Sequence, residues 1–187
     1  MKNSINYFVI SLPRTGTRSI CKMAKICGLN PKHVPHAGYH RQIISSSYNF
    51  FADTPIFCPS VIKNICNNID INSKFIYIEK DYKEIFDSWN KIKLYRNYTN
   101  FVKINSDKFD YKSYKEAFNN EILTENNYKL IFQKHKNTVF EILNNYHKEY
   151  LIYRFDQSWD PFCSFINKPI PKEPIPHLNI NSMEDKI

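Results

Sequence analysis

Glycine is scarce in this sequence, and features that identify several common protein classes are missing. Only three of the 187 residues are glycine. The cysteines show neither a C-x-x-C pair nor the Cys/His spacing of a zinc site, and their number is odd, which argues against a disulfide framework. They are Cys21, Cys27, Cys58, Cys66 and Cys163. We therefore expect reduced thiols in a cytoplasmic protein.

Long apolar segments are also absent. No window approaches the roughly 20 apolar residues of a membrane span. The apolar run over residues 7–12 is broken at once by Pro13 and Arg14, so it is too short and wrongly flanked for a signal peptide. We expect no membrane span, and because the chain shows neither a repeat nor a linker, we predict a single domain over residues 1–187.

The charge is unbalanced, with a formal net charge of +8 and a pI near 9.1. This excess favours an anionic partner, which from charge alone is a nucleotide, a nucleic acid or an acidic lipid surface. No block of Lys and Arg resembles a nucleic-acid-binding arm. We expect the charge to serve an anion pocket, with a nucleotide as partner and no nucleic acid.

Hydrophobic periodicity predicts alternating strands and helices. The predicted strands cover residues 6–11, 48–53, 74–78 and 150–155. The predicted helices cover residues 17–27, 42–47, 58–68, 82–95, 114–123, 126–148 and 160–166, whereas 32–40 and 97–112 are predicted as loops and the proline-rich tail as extended chain. This order indicates an α/β fold with a mostly parallel central sheet flanked by helices.

Residues 8–20, FVISLPRTGTRSI, are the most informative stretch. A run of β-formers turns through Arg14–Thr17 into the start of a helix, an arrangement typical of loops that bind phosphate or sulfate through backbone N–H groups. The triphosphate motif G-x-x-x-x-G-K-[ST] fails here, because Ser11, Thr17 and Arg18 stand where it requires glycine, lysine and a hydroxyl residue. An ATP- or GTP-dependent kinase is therefore disfavoured.

The segment PRTGT, residues 13–17, resembles the 5′-phosphosulfate loop of the P-loop sulfotransferases, P-[KR]-[ST]-G-T. In that family a strand ends in arginine and a serine follows eight residues later on the next helix. Here Lys80 and Ser88 stand at those positions, and residues 151–179 resemble the terminal strand, helix and proline-rich end of small, minimal members. The resemblance implies the three-layer fold shared by P-loop sulfotransferases and nucleotide kinases.

The resemblance also implies an activity. The donor would be 3′-phosphoadenosine 5′-phosphosulfate (PAPS), leaving as the bisphosphate PAP, and the acceptor a hydroxyl or amine of a small molecule, glycan or protein. Lys80 and Ser88 would hold the 3′-phosphate, Arg14 would act in catalysis as well as in binding, and no metal is required. The implied donor-binding residues of the loop are Pro13, Arg14, Thr15, Gly16, Thr17 and Arg18.

Two departures from the family pattern leave alternatives open. Lysine at position 80 keeps the charge of arginine but loses its bidentate geometry. The basic R-K-G loop that closes over the nucleotide in cytosolic sulfotransferases is missing, and Lys168, Lys172 and His177 are the candidates to replace it. The alternative functions are a catalytically impaired module that binds PAP or PAPS and, less favoured, a nucleotide kinase.

The resemblance also implies where the base that takes the acceptor's proton lies, namely just after the strand that precedes the 3′-phosphate unit. In this sequence that strand ends at Asp53, so Asp53 is the first choice. His36 and His40 are the alternatives, because histidine titrates in a better range. Asp53 has a second interpretation as a residue that only stabilises the turn at Thr54-Pro55. The histidine-containing segment 32–40 has no cysteine or carboxylate at metal-ligand spacing, so we predict no metal site.

Overall fold

A parallel sheet forms the centre of the protein in a computed structural model that describes residues 5–33, 47–68, 70–91, 118 and 124–177. Within these residues the sheet has five strands in the order β2-β3-β1-β4-β5. The strands are β1 (Asn6–Val9), β2 (Pro31–His33), β3 (Phe50–Ala52), β4 (Ser73–Ile78) and β5 (Tyr150–Tyr153). The helices are α1 (Thr17–Ile26), α2 (Pro59–Asn67), α3 (Tyr82–Lys91), α4 (Glu125–Asn145) and α5 (Asp160–Ile166).

Strand β1 lies in the middle of the sheet because its side chains are apolar on both faces. It pairs in parallel with β3, where Val9 lies beside Ala52, and with β4, where Val9 lies beside Ile76. Phe8 and Val9 point to opposite faces and are fully buried. A strand buried on both faces is typical of parallel sheets covered by helices, and this is the position that its sequence predicts.

Two cores sandwich the sheet. One joins alternate strand residues to α1 and α5 and includes Val9, Ile20, Ala24, Phe50, Ile78 and Phe162. The other joins the opposite strand face to α2 and α4 and includes Phe8, Phe51, Ile62, Tyr77, Val139 and Leu143. The α/β fold with a parallel sheet between helical layers is thereby confirmed.

The strand order creates a crevice at the carboxyl edge of the sheet. After β1 the chain builds β2 and β3 on one side and then β4 and β5 on the other. The connection from β1 runs toward β2, and the connection from its neighbour β4 runs the other way, toward β5. Where the connections of two neighbouring strands run in opposite directions, a crevice opens at their carboxyl ends, and ligands bind there in open α/β sheets. The loop after β1 lies at this point.

The predicted loop over residues 32–40 is wrong at its start, because β2 runs through Pro31–His33. Among the described strands this edge strand pairs only with β3, with His33 beside Ala52. Its sequence, PKH, shows neither an apolar run nor an alternation of apolar and polar residues. An edge strand requires neither pattern, because it tolerates proline and basic side chains. The predicted elements over 42–47, 97–112 and 114–123 lie outside the described residues except for Ser47 and Phe118, and so do His36 and His40.

Helix α4 is close to its predicted bounds of 126–148, and one of its apolar residues faces solvent. Leu130 is 66% exposed. The buried face follows positions three or four apart, so the neighbour of Ile131 turns toward solvent. That face consists of Tyr128, Ile131, Phe132, His135, Val139 and Leu143. Of the helices within the described ranges, none is both long and apolar enough to cross a membrane.

Candidate active site

A cleft of about 1540 Å³ opens at the carboxyl edge of the sheet. Its walls come from the loop after β1, the ends of β2, β3, β4 and β5, and helices α3 and α4. The cleft contains most of the residues implicated by the sequence, namely Arg14, Thr15, Gly16, Thr17, Arg18, Asp53, Lys80 and Ser88. Pro13 is buried at the start of the loop.

The loop after β1 is held in a conformation suited to anions. Arg14 and Gly16 both have left-handed backbone angles, with φ of 76° and 111°. The hydroxyl of Thr15 donates to the carbonyl of Leu12 over 2.9 Å, which closes the turn. Helix α1 begins at Thr17 with Gly16 as N-cap, and its first turn has no acidic residue. The positive end of the helix dipole therefore faces the cleft without a competing carboxylate in that turn.

Gly16 is required for steric as well as conformational reasons. A Cβ atom at this position would lie 2.4 Å from Cε2 of Phe155. The φ of 111° is also one that side chains rarely adopt. The ring of Phe155 thus covers the loop at a distance that only glycine permits, and this explains the position of one of the scarce glycines.

Arg14 connects the loop to helix α3. Its Nε and Nη2 donate to Oγ of Ser88 over 3.2 and 2.8 Å. Burial lowers the pKa of Arg14, and the nearby charge of Asp53 partly offsets this effect. Arginine nevertheless stays protonated near neutral pH. The cleft therefore contains a half-buried, permanent cation beside the anion loop, with its side chain directed by the serine that the sequence associates with the 3′-phosphate.

Lys80, the second cation implicated by the sequence, lies beside a carboxylate. Its Nζ lies 3.5 Å from Oε2 of Glu84, with 33% of the lysine side chain and 67% of the glutamate side chain exposed. The carboxylate of Asp81 accepts from the backbone N–H of Lys83 over 2.8 Å, as expected for the residue preceding α3. Glu84, three residues after Asp81, lies beside Lys80. The lysine thus lies in the cleft in a solvent-exposed ion pair.

A second cluster joins the ends of β2 and β3 to α1. Oδ2 of Asp53 accepts from the hydroxyl of Thr17 over 2.9 Å and lies 3.3 Å from Nε2 of His33. That nitrogen is also 3.1 Å from Oγ1 of Thr17. The other oxygen, Oδ1, accepts from the backbone N–H of Thr54 over 2.8 Å. Asp53 therefore does stabilise the turn after β3, and it also belongs to the cleft.

The electrostatics of Asp53 follow from these contacts. Burial alone would raise the pKa of this carboxyl group. Hydrogen bonds from His33, Thr17 and Thr54, together with the positive charge of a protonated His33, outweigh burial and hold the pKa below its ordinary value. Asp53 is thus an ionised carboxylate at neutral pH, with hydrogen-bond donors on both oxygens.

The structure adds site residues that the sequence analysis missed. The sequence predicts a loop without a role at His33 and only a strand at Phe155, yet both residues line the cleft. Of the three candidates to replace the missing R-K-G loop, His177 lines the cleft, and its ring centroid is 6.3 Å from that of Phe155. Within the described residues, no group of three or more His, Cys, Asp or Glu side chains could hold a metal ion.

Comparison with known proteins identifies a family. Residues 42–183 match the family described as a sulfotransferase domain. The match begins after the loop of residues 13–18, so the loop supports the same family independently of the match. A search of curated proteins gives no match for this chain.

Proposed function

The chain belongs to the sulfotransferase domain family, and from this premise we propose that it transfers a sulfuryl group from PAPS to a hydroxyl or amine acceptor. One observation carries the choice of donor. The loop with left-handed Gly16, the N-terminus of α1 and the cation Arg14 open into the same cleft as Lys80 and Ser88. Two anion-binding elements in one cleft suit a nucleotide with phosphates at both its 5′ and 3′ positions.

In this proposal the 5′-phosphate lies against the backbone N–H groups of Thr15–Thr17. The first N–H groups of a helix lack partners within the helix, and the dipole adds to their attraction for an anion. The hydroxyl of Thr17 donates to Asp53, so it must rotate before it can donate to a phosphate. The 3′-phosphate lies between Lys80 and Ser88, where it would compete with Glu84 for the lysine. The Ser88 hydroxyl can donate its proton to this phosphate while its oxygen still accepts from Arg14.

Catalysis is then mainly a matter of position and charge. The acceptor oxygen attacks sulfur in line with the departing phosphate oxygen, on which negative charge grows. Arg14 is the cation that stabilises this charge. Its contacts with Ser88 involve Nε and Nη2 and hold the guanidinium beside the loop. A group fixed before the reaction does not pay reorganisation energy in the transition state.

The alternative of a nucleotide-binding module without catalysis is supported by the state of Lys80. A lysine paired with Glu84 binds a phosphate less strongly than the unpaired, bidentate arginine of the family pattern. Turnover separates the two functions. An enzyme transfers label from ³⁵S-PAPS to simple phenols or amines, whereas a binding module binds PAPS and transfers none.

Calorimetry with PAP, AMP and ATP tests the donor assignment. We expect PAP to bind more tightly than AMP by about 1.5–3 kcal/mol, or roughly 10- to 150-fold, because the 3′-phosphate adds charge-assisted hydrogen bonds. ATP should bind more weakly than PAP, since the triphosphate motif is absent. Equal affinities for PAP and AMP would contradict the assignment of the donor. As part of the same proposal we place the enzyme in the cytoplasm.

A further inference from the structure

His33, Asp53 and Thr17 form a hydrogen-bonded group whose proton positions can be assigned. Asp53 is ionised, so both of its oxygens only accept hydrogen bonds. The hydroxyl proton of Thr17 points to Oδ2 of Asp53, so the Thr17 oxygen faces His33 as an acceptor. Nε2 of His33 thus lies near two acceptors, at 3.3 and 3.1 Å, and must carry the ring proton. Nδ1 of the neutral ring is then the nitrogen with the lone pair.

This arrangement makes Asp53 a poor base. Its oxygens accept hydrogen bonds from Thr17 and Thr54, and Oδ2 also faces the imidazole. Hydrogen bonds to the ionised form stabilise it, so the carboxylate takes up a proton less readily. The same contacts orient the ring of His33, which lines the cleft with 21% of its side chain exposed.

The neighbours of the His33–Asp53 pair include other charged and titratable groups. The loop contributes the permanent charge of Arg14, and α1 contributes Arg18 and Cys21. Burial, and secondly the charge of Asp53, raise the pKa of Cys21 far above neutral, so its thiol stays protonated. Near neutral pH the Arg14 guanidinium and the Cys21 thiol thus keep their protons, and the choice of base between His33 and Asp53 rests on the geometry of their hydrogen bonds.

We propose that His33 is the catalytic base of the sulfuryl transfer and that Asp53 is a positioning residue that fixes its tautomer. This inference rests on the proposed function and reassigns the base within it from Asp53, His36 or His40 to His33. The proton of the acceptor O–H or N–H passes to Nδ1 as the acceptor atom bonds to sulfur. The bond from sulfur to the bridging oxygen breaks with its electron pair on PAP, beside Arg14, and the imidazolium remains beside Asp53.

The tautomer of His33 can be measured by NMR without an activity assay. We expect two-bond ¹H–¹⁵N correlation spectra of ¹⁵N-histidine-labelled protein near pH 7.5 to show His33 protonated at Nε2, with the signal assigned by its loss in His33→Gln. Asp53→Asn should shift the population toward the Nδ1–H form, because an amide can donate to Nε2 as well as accept from it. An Nδ1–H tautomer in the parent protein would overturn the proposal.

Turnover then tests the role of the pair, with ³⁵S-PAPS and a panel of phenols and primary amines. His33→Gln should lower turnover at saturation by about 100-fold or more and should abolish the rise of turnover with pH. Asp53→Asn should lower turnover but keep that rise. His147→Asn is the matched control, because His147 lies outside the cleft and asparagine tolerates its left-handed φ of 50°. It should leave turnover unchanged.

The other outcomes are decisive as well. If His33→Gln stays within threefold of His147→Asn, or if Asp53→Asn and not His33→Gln abolishes the rise with pH, His33 is not the base and the proposal fails. PAP calorimetry separates this failure from failure of the proposed function. A parent protein that binds no PAP overturns both, whereas normal PAP binding with either outcome above overturns the assignment of His33 alone.

Discussion

The two anion-binding regions of the cleft are built in different ways. The loop after β1 is fixed by contacts within the protein, since Thr15 donates to Leu12 and the ring of Phe155 lies on Gly16. The region after β4 is held less firmly. Its cation, Lys80, lies in an exposed ion pair with Glu84, and its hydroxyl residue, Ser88, accepts from Arg14 of the other region.

This difference predicts how the two regions share the work of binding. A loop that already has its binding conformation loses little conformational entropy when an anion arrives. The region after β4 must exchange existing contacts for new ones, so its net contribution is smaller. We therefore expect the loop to control whether a nucleotide binds at all, and Lys80 with Ser88 to control which nucleotide is preferred.

Disruption of the loop at Gly16 should have the largest effect. Gly16→Ala should abolish measurable PAP binding and turnover, because the new Cβ meets the ring of Phe155 at 2.4 Å in a strained conformation. Gly28→Ala is the matched control, since Gly28 also has positive φ, 78°, but no atom of the described residues lies within 4 Å of the added Cβ. Strain alone costs about 1–2 kcal/mol.

Chemical denaturation measures the cost of that contact. Gly16→Ala should lower the free energy of unfolding by about 1–3 kcal/mol more than Gly28→Ala, the usual cost of overpacking. Adding Phe155→Leu should recover part of this difference. Equal losses for the two alanine variants would mean that the ring of Phe155 does not restrict the loop.

Arg14→Ala should have the next largest effect, and on turnover more than on binding. We expect turnover at saturating PAPS to fall by about 100- to 1000-fold, as when a group that stabilises transition-state charge is removed. PAP affinity should fall less than tenfold by calorimetry. Arg154→Ala is the control, because Arg154 lines the cleft but forms an exposed pair with Asp156. Loss of PAP binding with unchanged turnover would make Arg14 a phosphate anchor only.

Changes at Lys80 and Glu84 should have moderate effects of opposite sign. Lys80→Ala should lower PAP affinity about tenfold and leave AMP affinity unchanged, because only PAP has a 3′-phosphate. Glu84→Gln should raise PAP affinity by up to about fivefold, since an exposed ion pair is worth at most about 1 kcal/mol. If both changes affect PAP and AMP equally, Lys80 does not contact the 3′-phosphate.

The smallest effect should come from acid, through the link between Asp53 and the loop residue Thr17. The pKa of Asp53 is lowered in the folded protein, so its ionised form contributes stability above its ordinary pKa of 3.8. That contribution is lost as the pH falls through the lower, folded value. The melting temperature of Asp53→Asn should therefore fall less steeply between pH 5 and pH 3 than that of the parent. Parallel curves would contradict the assignment.

Most of the fold could be predicted from sequence because strong local patterns coincide with it. Tyr7–Ile10 is apolar without interruption, as a strand buried on both faces requires, and Gly28 marks the end of α1. Strand β2 could not be predicted in this way. Its three residues, PKH, pair through the backbone at a sheet edge, so neither alternation nor propensity indicates them.

The residues of the site could likewise be predicted only where they form a local sequence pattern. The loop residues were found because glycine, cation and hydroxyl are close together in the sequence. His33 was missed because its partner, Asp53, comes from a neighbouring strand, and only the register of β2 on β3 brings the two together. The bond from Arg14 to Ser88 was missed for the same reason, since it joins residues 74 positions apart. The roles of these residues stay predictions.

The contact between Phe155 and Gly16 also sets an order of events during synthesis. A chain leaves the ribosome from its N-terminus, so β1 and its loop emerge well before β5. The loop has its native cover only when β5 pairs with β4, with Tyr153 beside Ile78, and places the ring that follows it. The loop at Gly16, which is translated early, is thus completed by Phe155, which is translated after α4. A nascent chain halted before Tyr150 should not retain PAP, however well its first strand has folded.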